Sequence, residues 1–326
     1  VPTGSHETDA QAVAGAEPGP TEAELERMRK ALEGSGLYRV VRRLRPRTSY
    51  TDEAALPTGA RTYKGLYVDT ETTGLDARSQ QVIELGMLEF DYDAGGNIYG
   101  VREVISALED PGRPLPQEVV DLTGITDADV KGQRFDDALV NRAVGGADLI
   151  VAHNASFDRP FLEQRFEAFR RRPWACSVRD VDWRDLGYAS SSLEYLAFRR
   201  GFYFEAHRAI TDCWAGLELL AEPLADGEPP AMRLLHLNAQ RRSVRLWAAG
   251  SPIAKKDLLK ARGYRFNGAS KVWWRDVPRD GHDEELAWLA GNIYGRRVPL
   301  PYLEVSALER YSDRVPESLP PDAQRR

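Results

Sequence analysis

The stretch LYVDTETTGLD, residues 66–76, decides how this chain is read. An apolar run, Leu66-Tyr67-Val68, closes on two acids, Asp69 and Glu71, one residue apart, and Thr72, Thr73, Gly74 and Leu75 follow. On a β-strand, residues i and i+2 share a face, so the two carboxylates converge while Thr70 points away. Like charges beside a buried run repel unless a cation sits between them. A hard divalent ion with oxygen ligands is the economical partner, and Gly74 permits close approach of a ligand to the backbone. Standing alone, a D-x-E at a strand end reads better as a solvated terminus with incidental acids.

Outward from this stretch, residues 62–224 read as one α/β domain. YKGLYVD, VIELGMLEFDY and YGVREVIS predict three strands, the last two joined as a hairpin across DAGGN. ADLIVAHN and WACSV predict shorter buried strands that alternate with helical patterns. A hairpin followed by alternating strands and helices implies a mixed sheet with helices on its faces. In SFDRPFLEQRFEAF, Pro160 fits only the first turn of a helix, so the helix starts near Ser156 with Asp158 at its beginning, and Phe157, Phe161, Leu162, Phe166 and Phe169 share a face. An acid at a helix start commonly does no more than complement the helix dipole. The same plain reading applies to Asp212, which opens the apolar helix ITDCWAGLELL. His207, five residues earlier, falls about 140° away on a shared helix, so a position in the approaching loop is the better placement. There it can titrate near neutral pH.

Combined, these residues say more than any one of them. Two acids on a strand, two at helix starts and a nearby histidine match a site in which two metal ions, about 3.5–4 Å apart, activate a water and steady a leaving oxygen. The histidine would take the water's proton. Asp69, Glu71, Asp158, His207 and Asp212, set in DTETTGL, AHNASFDRPFL and HRAITD, resemble the three motifs of the DEDDh, or epsilon-like, 3′–5′ exonucleases, and LTGITDADV (122–130) is similar to that family's connecting segment. The resemblance implies an RNase H-like mixed sheet flanked by helices. It further implies two Mg²⁺ or Mn²⁺ ions, one held by Asp69, Glu71 and Asp212 and the other by Asp69 with Asp158. His207 would be the general base, and Thr72, Thr73, Gly74, Leu75, Asn154 and Phe157 would contact the terminal nucleotide. The expected activity is release of nucleoside monophosphates from single-stranded DNA 3′ ends, in proofreading or repair and with a DNA polymerase or another replication or repair protein as partner. An exoribonuclease, acting on RNA instead, is one alternative. A non-catalytic polymerase-associated subunit is another, disfavoured because all five catalytic positions are occupied.

The remaining chain is organised around this domain. Residues 1–20, rich in Ala, Gly and Pro, are expected to be disordered. Residues 21–61 hold a helix, with capping-box spacing at Thr21 and Glu24, a face of Leu25, Met28 and Leu32, and a stop at Gly34, followed by a basic extension. Residues 225–231 are expected to be a linker, 232–300 a second, smaller basic α/β domain, and 301–326 a mobile tail. The net charge of −6 argues weakly against a polyanionic partner. Between Arg233 and Arg279, however, twelve Lys or Arg residues face only Asp257 and Asp276, and local fields steer polyanions more than the total does. Lys255, Lys256, Arg262 and Arg265, interleaved with Trp273 and Trp274, are candidates to grip nucleic acid. A protein-docking role competes with that reading, since adjacent tryptophans on one strand point to opposite faces and at least one belongs to a core. No apolar run approaches the ~20 residues that span a bilayer, and two cysteines without ligand or disulfide spacing fit a cytoplasmic protein.

Overall fold

The computed structural model describes residues 19–318, apart from 53, 55, 57, 58, 226 and 269. Most of the predicted N-terminal tail and part of the predicted linker therefore lie outside the described residues. The chain divides into two compact units, up to Arg42 and from Arg43 onward.

The first unit contains helix α1 (Glu22–Gly34). Its capping box forms as the spacing predicts: the Glu24 amide donates to Thr21 Oγ1, and the Thr21 amide donates to Glu24 Oε2 at 2.7 Å. Leu25 and Met28 on its apolar face are exposed.

The second unit is built on a five-stranded mixed sheet. Strands β1 (Thr62–Thr72), β2 (Val82–Asp93) and β3 (Ile98–Leu108) are antiparallel neighbours. Strands β4 (Leu149–Ala152) and β5 (Trp174–Cys176) continue the sheet in parallel on the other side of β1, giving the order β3-β2-β1-β4-β5. The predicted hairpin connects β2 to β3.

Central strand β1 is buried on both faces, and its alternation sorts the functional residues. Leu66 and Val68 pack with Ile150, Phe161, Leu162 and Trp174 on the side of helix α2 (Ala155–Arg165). Tyr67 packs with Cys213 and Leu217 of helix α3 (Ala209–Ala221) on the opposite side. With a period of two, Asp69 and Glu71 follow Tyr67 toward α3, whereas Thr70 turns toward α2. Helix α2 is shorter than its apolar pattern implies: it ends at Arg165, and Phe166 and Phe169 reach the core from an extended residue and a 3₁₀ turn.

Two boundaries differ from those read in the sequence. Helix α4 (Ala231–Gln240) is no part of an accessory domain, because its Ala231, Met232 and Leu235 are buried in the core around Tyr67. The segment before it is a tight return, with Pro223 bridged to Pro230, rather than an open linker. The smaller domain begins at strand β6 (Ser243–Ala248). Together with β7 (Arg265–Asn267), β8 (Val272–Pro278) and β9 (Tyr302–Val305), β6 forms an antiparallel sheet of order β9-β6-β8-β7. The expected mobile tail thus supplies an edge strand. Its continuation also packs against the larger sheet: the buried Arg159 guanidinium donates to the carbonyls of Ala307, Leu308 and Arg310. Apolar patterning could not register this, since those contacts are backbone carbonyls satisfying a buried cation.

Among the described residues no helix is long and apolar enough to cross a membrane.

Candidate active site

Strand β1 delivers Asp69 and Glu71 to the face covered by α3, and Asp212 in the first turn of α3 completes the group. One carboxylate oxygen from each of the three lies within 4.8 Å of the others. The close approach depends on Gly86. It is the cross-strand partner of Asp69 on β2, and a Cβ there would stand 2.5 Å from the Ala209 carbonyl carbon at the start of α3. Gly216 makes the matching allowance on the helix side, where a Cβ would overlap the Tyr67 hydroxyl at 1.9 Å. Two glycines therefore let a helix lie directly on the sheet beside the acids. The β1–β2 register shifts after Glu71, which pairs with Glu84. Such irregularities re-aim side chains next to active sites.

Asp158 reaches the same end of β1 from the other face. It is buried in the first turn of α2, and its Oδ1 accepts from the Thr70 hydroxyl at 2.8 Å and from the Thr70 amide at 3.1 Å. The residue between the two β1 acids thus ties α2 to the strand. All four acids are disposed to hold protons in the absence of a cation. Burial, then repulsion from Asp158 and Asp212, pushes Asp69 well above the carboxylate range. Burial, followed by Asp212 and Glu84, raises Glu71 to about 8. Asp158 and Asp212 rise to about 7, mainly through burial. A set of oxygen-only ligands that cannot all ionise together is one that a hard dication completes.

The sequence did not single out Glu84. Its fully buried carboxylate accepts from the Arg208 guanidinium at 2.8 Å and from the Ala209 amide at 2.9 Å. It thereby fixes the loop entering α3. The one signal available was an acid interrupting the apolar run VIELGML. His207 lies in this loop, exposed and with φ of 65°, in the left-handed region. Asp212 closes the turn by accepting from the Arg208 amide at 3.1 Å.

The proposed nucleotide contacts fall into two groups. Thr72 and Thr73 are buried and spend their hydroxyls locally: Thr72 Oγ1 donates to the Gly74 carbonyl, and Thr73 Oγ1 meets Gln80 and Arg113. Gly74 backs onto Gln80, 3.0 Å from where a Cβ would stand. Leu75, by contrast, is 88% exposed. Asn154 is exposed at φ 74°, and Phe157 is half-buried against Phe161. His153 is structural, donating from Nε2 to the Ser191 carbonyl and meeting Ser177 through Nδ1, and burial lowers it to about 4.

In the smaller domain, Trp274 is buried while Trp273 packs against Phe266 and the helix side of the sheet. Neither is an open stacking platform. Arg262 is engaged by Glu285 and Trp288, whereas Lys256 and Arg265 are exposed and Lys255 is partly so.

A five-stranded mixed sheet with acids converging at the end of its central strand is an α/β fold with a candidate active site, and comparison with known proteins gives the family. An exonuclease family model matches residues 66–220. The DNA polymerase III epsilon subunit of Treponema pallidum is 32% identical over 167 residues, covering 48% of this chain and 74% of the relative. A PolC-type DNA polymerase III of Listeria monocytogenes is 42% identical over 101 residues, 30% of this chain but 7% of that much longer protein. Among solved structures, exonuclease X with 5′-overhanging duplex DNA aligns at 23% identity and TM-score 0.39, covering 52% of this chain and 99% of that one. The E. coli exonuclease I–single-stranded DNA complex aligns at 17% identity and TM-score 0.42, covering 57% and 48%. The chain belongs to the epsilon-like DEDDh exonuclease family.

Proposed function

We propose that this protein is a 3′–5′ exonuclease that releases nucleoside monophosphates from single-stranded DNA ends with the help of two Mg²⁺ or Mn²⁺ ions. The observation that carries the reading is the convergence of Asp69, Glu71 and Asp212 oxygens within 4.8 Å at a site where burial holds all of them toward the protonated form. The donors are all carboxylate oxygens, which suits hard dications. Asp69, Glu71 and Asp212 would hold one ion, and Asp69 with Asp158 the second. When bound, such ions lower the pKa of a water and neutralise the leaving oxygen.

The chain's own residues supply the rest. His207, exposed in the loop before α3, takes the proton from the attacking water as the water oxygen bonds to phosphorus, and the P–O3′ bond breaks with its electron pair leaving on O3′, which gains a proton from solvent. Leu75, Asn154 and Phe157 present apolar and amide surface beside the acids for the terminal nucleotide. Thr72 and Thr73 shape the loop that carries Leu75. The test is digestion of 5′-labelled single-stranded DNA, duplex DNA and RNA in Mg²⁺, Mn²⁺ or EDTA. A ladder shortening from the 3′ end of single-stranded DNA, absent in EDTA, is expected. Faster digestion of RNA would move the assignment to an exoribonuclease, and release of label as a mononucleotide would reverse the polarity.

A further inference from the structure

Beyond the acids, the junction of the two sheets holds a cavity of about 360 Å³ lined by Arg179, Arg241, Arg245, Arg265, Arg275 and Arg310. Asp180 and Asp276 also line it, but both are already committed. Asp180 accepts from Arg310 and Tyr311, and Asp276 takes two hydrogen bonds at 2.7 Å from Arg245. Arg275 is paired with Glu285, and Arg265 lies 3.7 Å from Glu317 at the exposed rim. The side chains of Arg179 and Arg241 make no ion pair or hydrogen bond among the described residues and are exposed. Among the described residues, the positive charge therefore exceeds what its partners neutralise.

Two donors inside the cavity's wall point the same way. Trp274 Nε1 and Arg310 Nε are buried without a hydrogen-bond partner, in side chains only 4% and 6% exposed. A buried donor left unpaired costs about 1–3 kcal/mol, and both belong to residues that line the cavity. Neighbouring cations reinforce this: burial, and then the charge of Arg179, lowers the pKa of the Arg265 guanidinium.

We propose that this cavity is a second nucleic-acid site, which grips phosphodiester groups of the strand whose 3′ end lies at Asp69 and Asp212. This rests on the exonuclease reading and deepens it. Placement supports a strand over an isolated anion. Ser156, in the first turn of the helix that carries Asp158, lines the cavity, and Arg179 follows the carboxyl end of β5. Residues two apart on a helix are about 200° apart around its axis, so the cavity opens on the side of α2 away from the acids. A strand passing Phe157 would enter it. The chemistry selects phosphate over base. Arg245 and Arg265 already stack on the Trp274 ring, 4.0 and 4.9 Å from its centroid, so the ring is covered by cations and is no platform for a base. Recognition would be indifferent to sequence.

The experiment measures equilibrium binding by fluorescence anisotropy in EDTA, with full-length protein and two labelled DNAs, a roughly 20-nucleotide single strand and a trinucleotide. For the double variant R179A/R241A, whose side chains are exposed and unpaired, the long strand should bind roughly tenfold more weakly. The slope of log affinity against log salt should fall by about 1.4, for two lost phosphate contacts. Trinucleotide binding should not change. Unchanged affinity and salt slope in R179A/R241A would overturn the site, as would equal losses on both DNAs. Metal-dependent hydrolysis by the unmodified protein tests the exonuclease reading separately, so the two can fail independently.

Discussion

Glu84 and Arg208 meet across the gap between β2 and the loop that enters α3, with the guanidinium donating to a carboxylate that is 1% exposed. The same carboxylate holds the Ala209 amide, so one buried acid sets the path of a loop whose preceding residue is His207. Replacing Glu84 by Ala should lower stability by about 1–3 kcal/mol, moderated because Arg208 is half exposed and can turn to water. It should lower kcat while leaving KM nearly unchanged, since the proposed substrate contacts are elsewhere. Urea melts with steady-state kinetics check this, and an E84A variant with normal kcat would show that the loop keeps its course unaided.

How far the sequence carried can be judged from such residues. Asp69 and Glu71 were legible because strand period puts them on one face, and Asp212 only in combination with them, since an acid opening a helix commonly does no more than complement its dipole. Glu84 was not, because its meaning depends on a loop 124 residues away in the chain. The segment after Val305 was misread for a similar reason. Its Pro and charge content resembles a tail, yet its carbonyls satisfy a cation on α2.

The metal-free protein should lose stability as pH rises. Asp69 is held well above the carboxylate range, Glu71 near about 8, and Asp158 and Asp212 near about 7, against roughly 4 in the unfolded chain. Between those limits the folded state binds more protons than the unfolded one, so unfolding free energy falls with increasing pH. Below about pH 4 this contribution is intact; it is lost progressively as pH rises through about 7 for Asp158 and Asp212 and about 8 for Glu71, and Asp69 extends the loss to higher pH. Mg²⁺ should therefore raise Tm more at the alkaline end of the window. Asp69→Asn should raise Tm in EDTA at that end, abolish most of the Mg²⁺ response and eliminate hydrolysis. Calorimetry across the window decides it, and a Mg²⁺ shift retained in D69N would sink the ligand assignment.

His207 is exposed and makes no side-chain hydrogen bond among the described residues, so its removal should not disturb the fold. His207→Ala should reduce kcat by roughly 10²–10⁴-fold and leave the Mg²⁺-dependent Tm shift as it is. A loss of metal response equal to the loss of rate would assign His207 to the metal site instead of to proton transfer.

Gly86→Ala offers a steric test that adds no charge. The new Cβ would face backbone at Ala209, which cannot rotate away. Helix α3 must then lift from β2, carrying Asp212 away from Asp69. The expected result is a loss of about 1–3 kcal/mol from overpacking together with weakened Mg²⁺ binding, read by titration of the folded variant. Gly86→Ala with native metal affinity would mean that the helix has more freedom over the sheet than the contact implies.

Ending the chain at Val305 tests whether the last segment belongs to the nuclease domain. Arg159 is fully buried and would keep the Glu163 hydrogen bond and the Trp174 ring but lose the carbonyls of Ala307, Leu308 and Arg310. Glu163 would in turn lose Ser312 and Arg314. Breaking a buried charged network by removing partners typically costs about 3–5 kcal/mol, a large share of a domain's stability. The truncated protein should therefore melt well below the full chain, and its nuclease activity should decay on warming before its affinity for DNA is measurably altered in the cold. Arg159→Met in the truncated background should recover some of the loss, because an apolar side chain of similar length needs none of those carbonyls. A truncation that melts with the full-length protein would return residues after Val305 to the status of a tail.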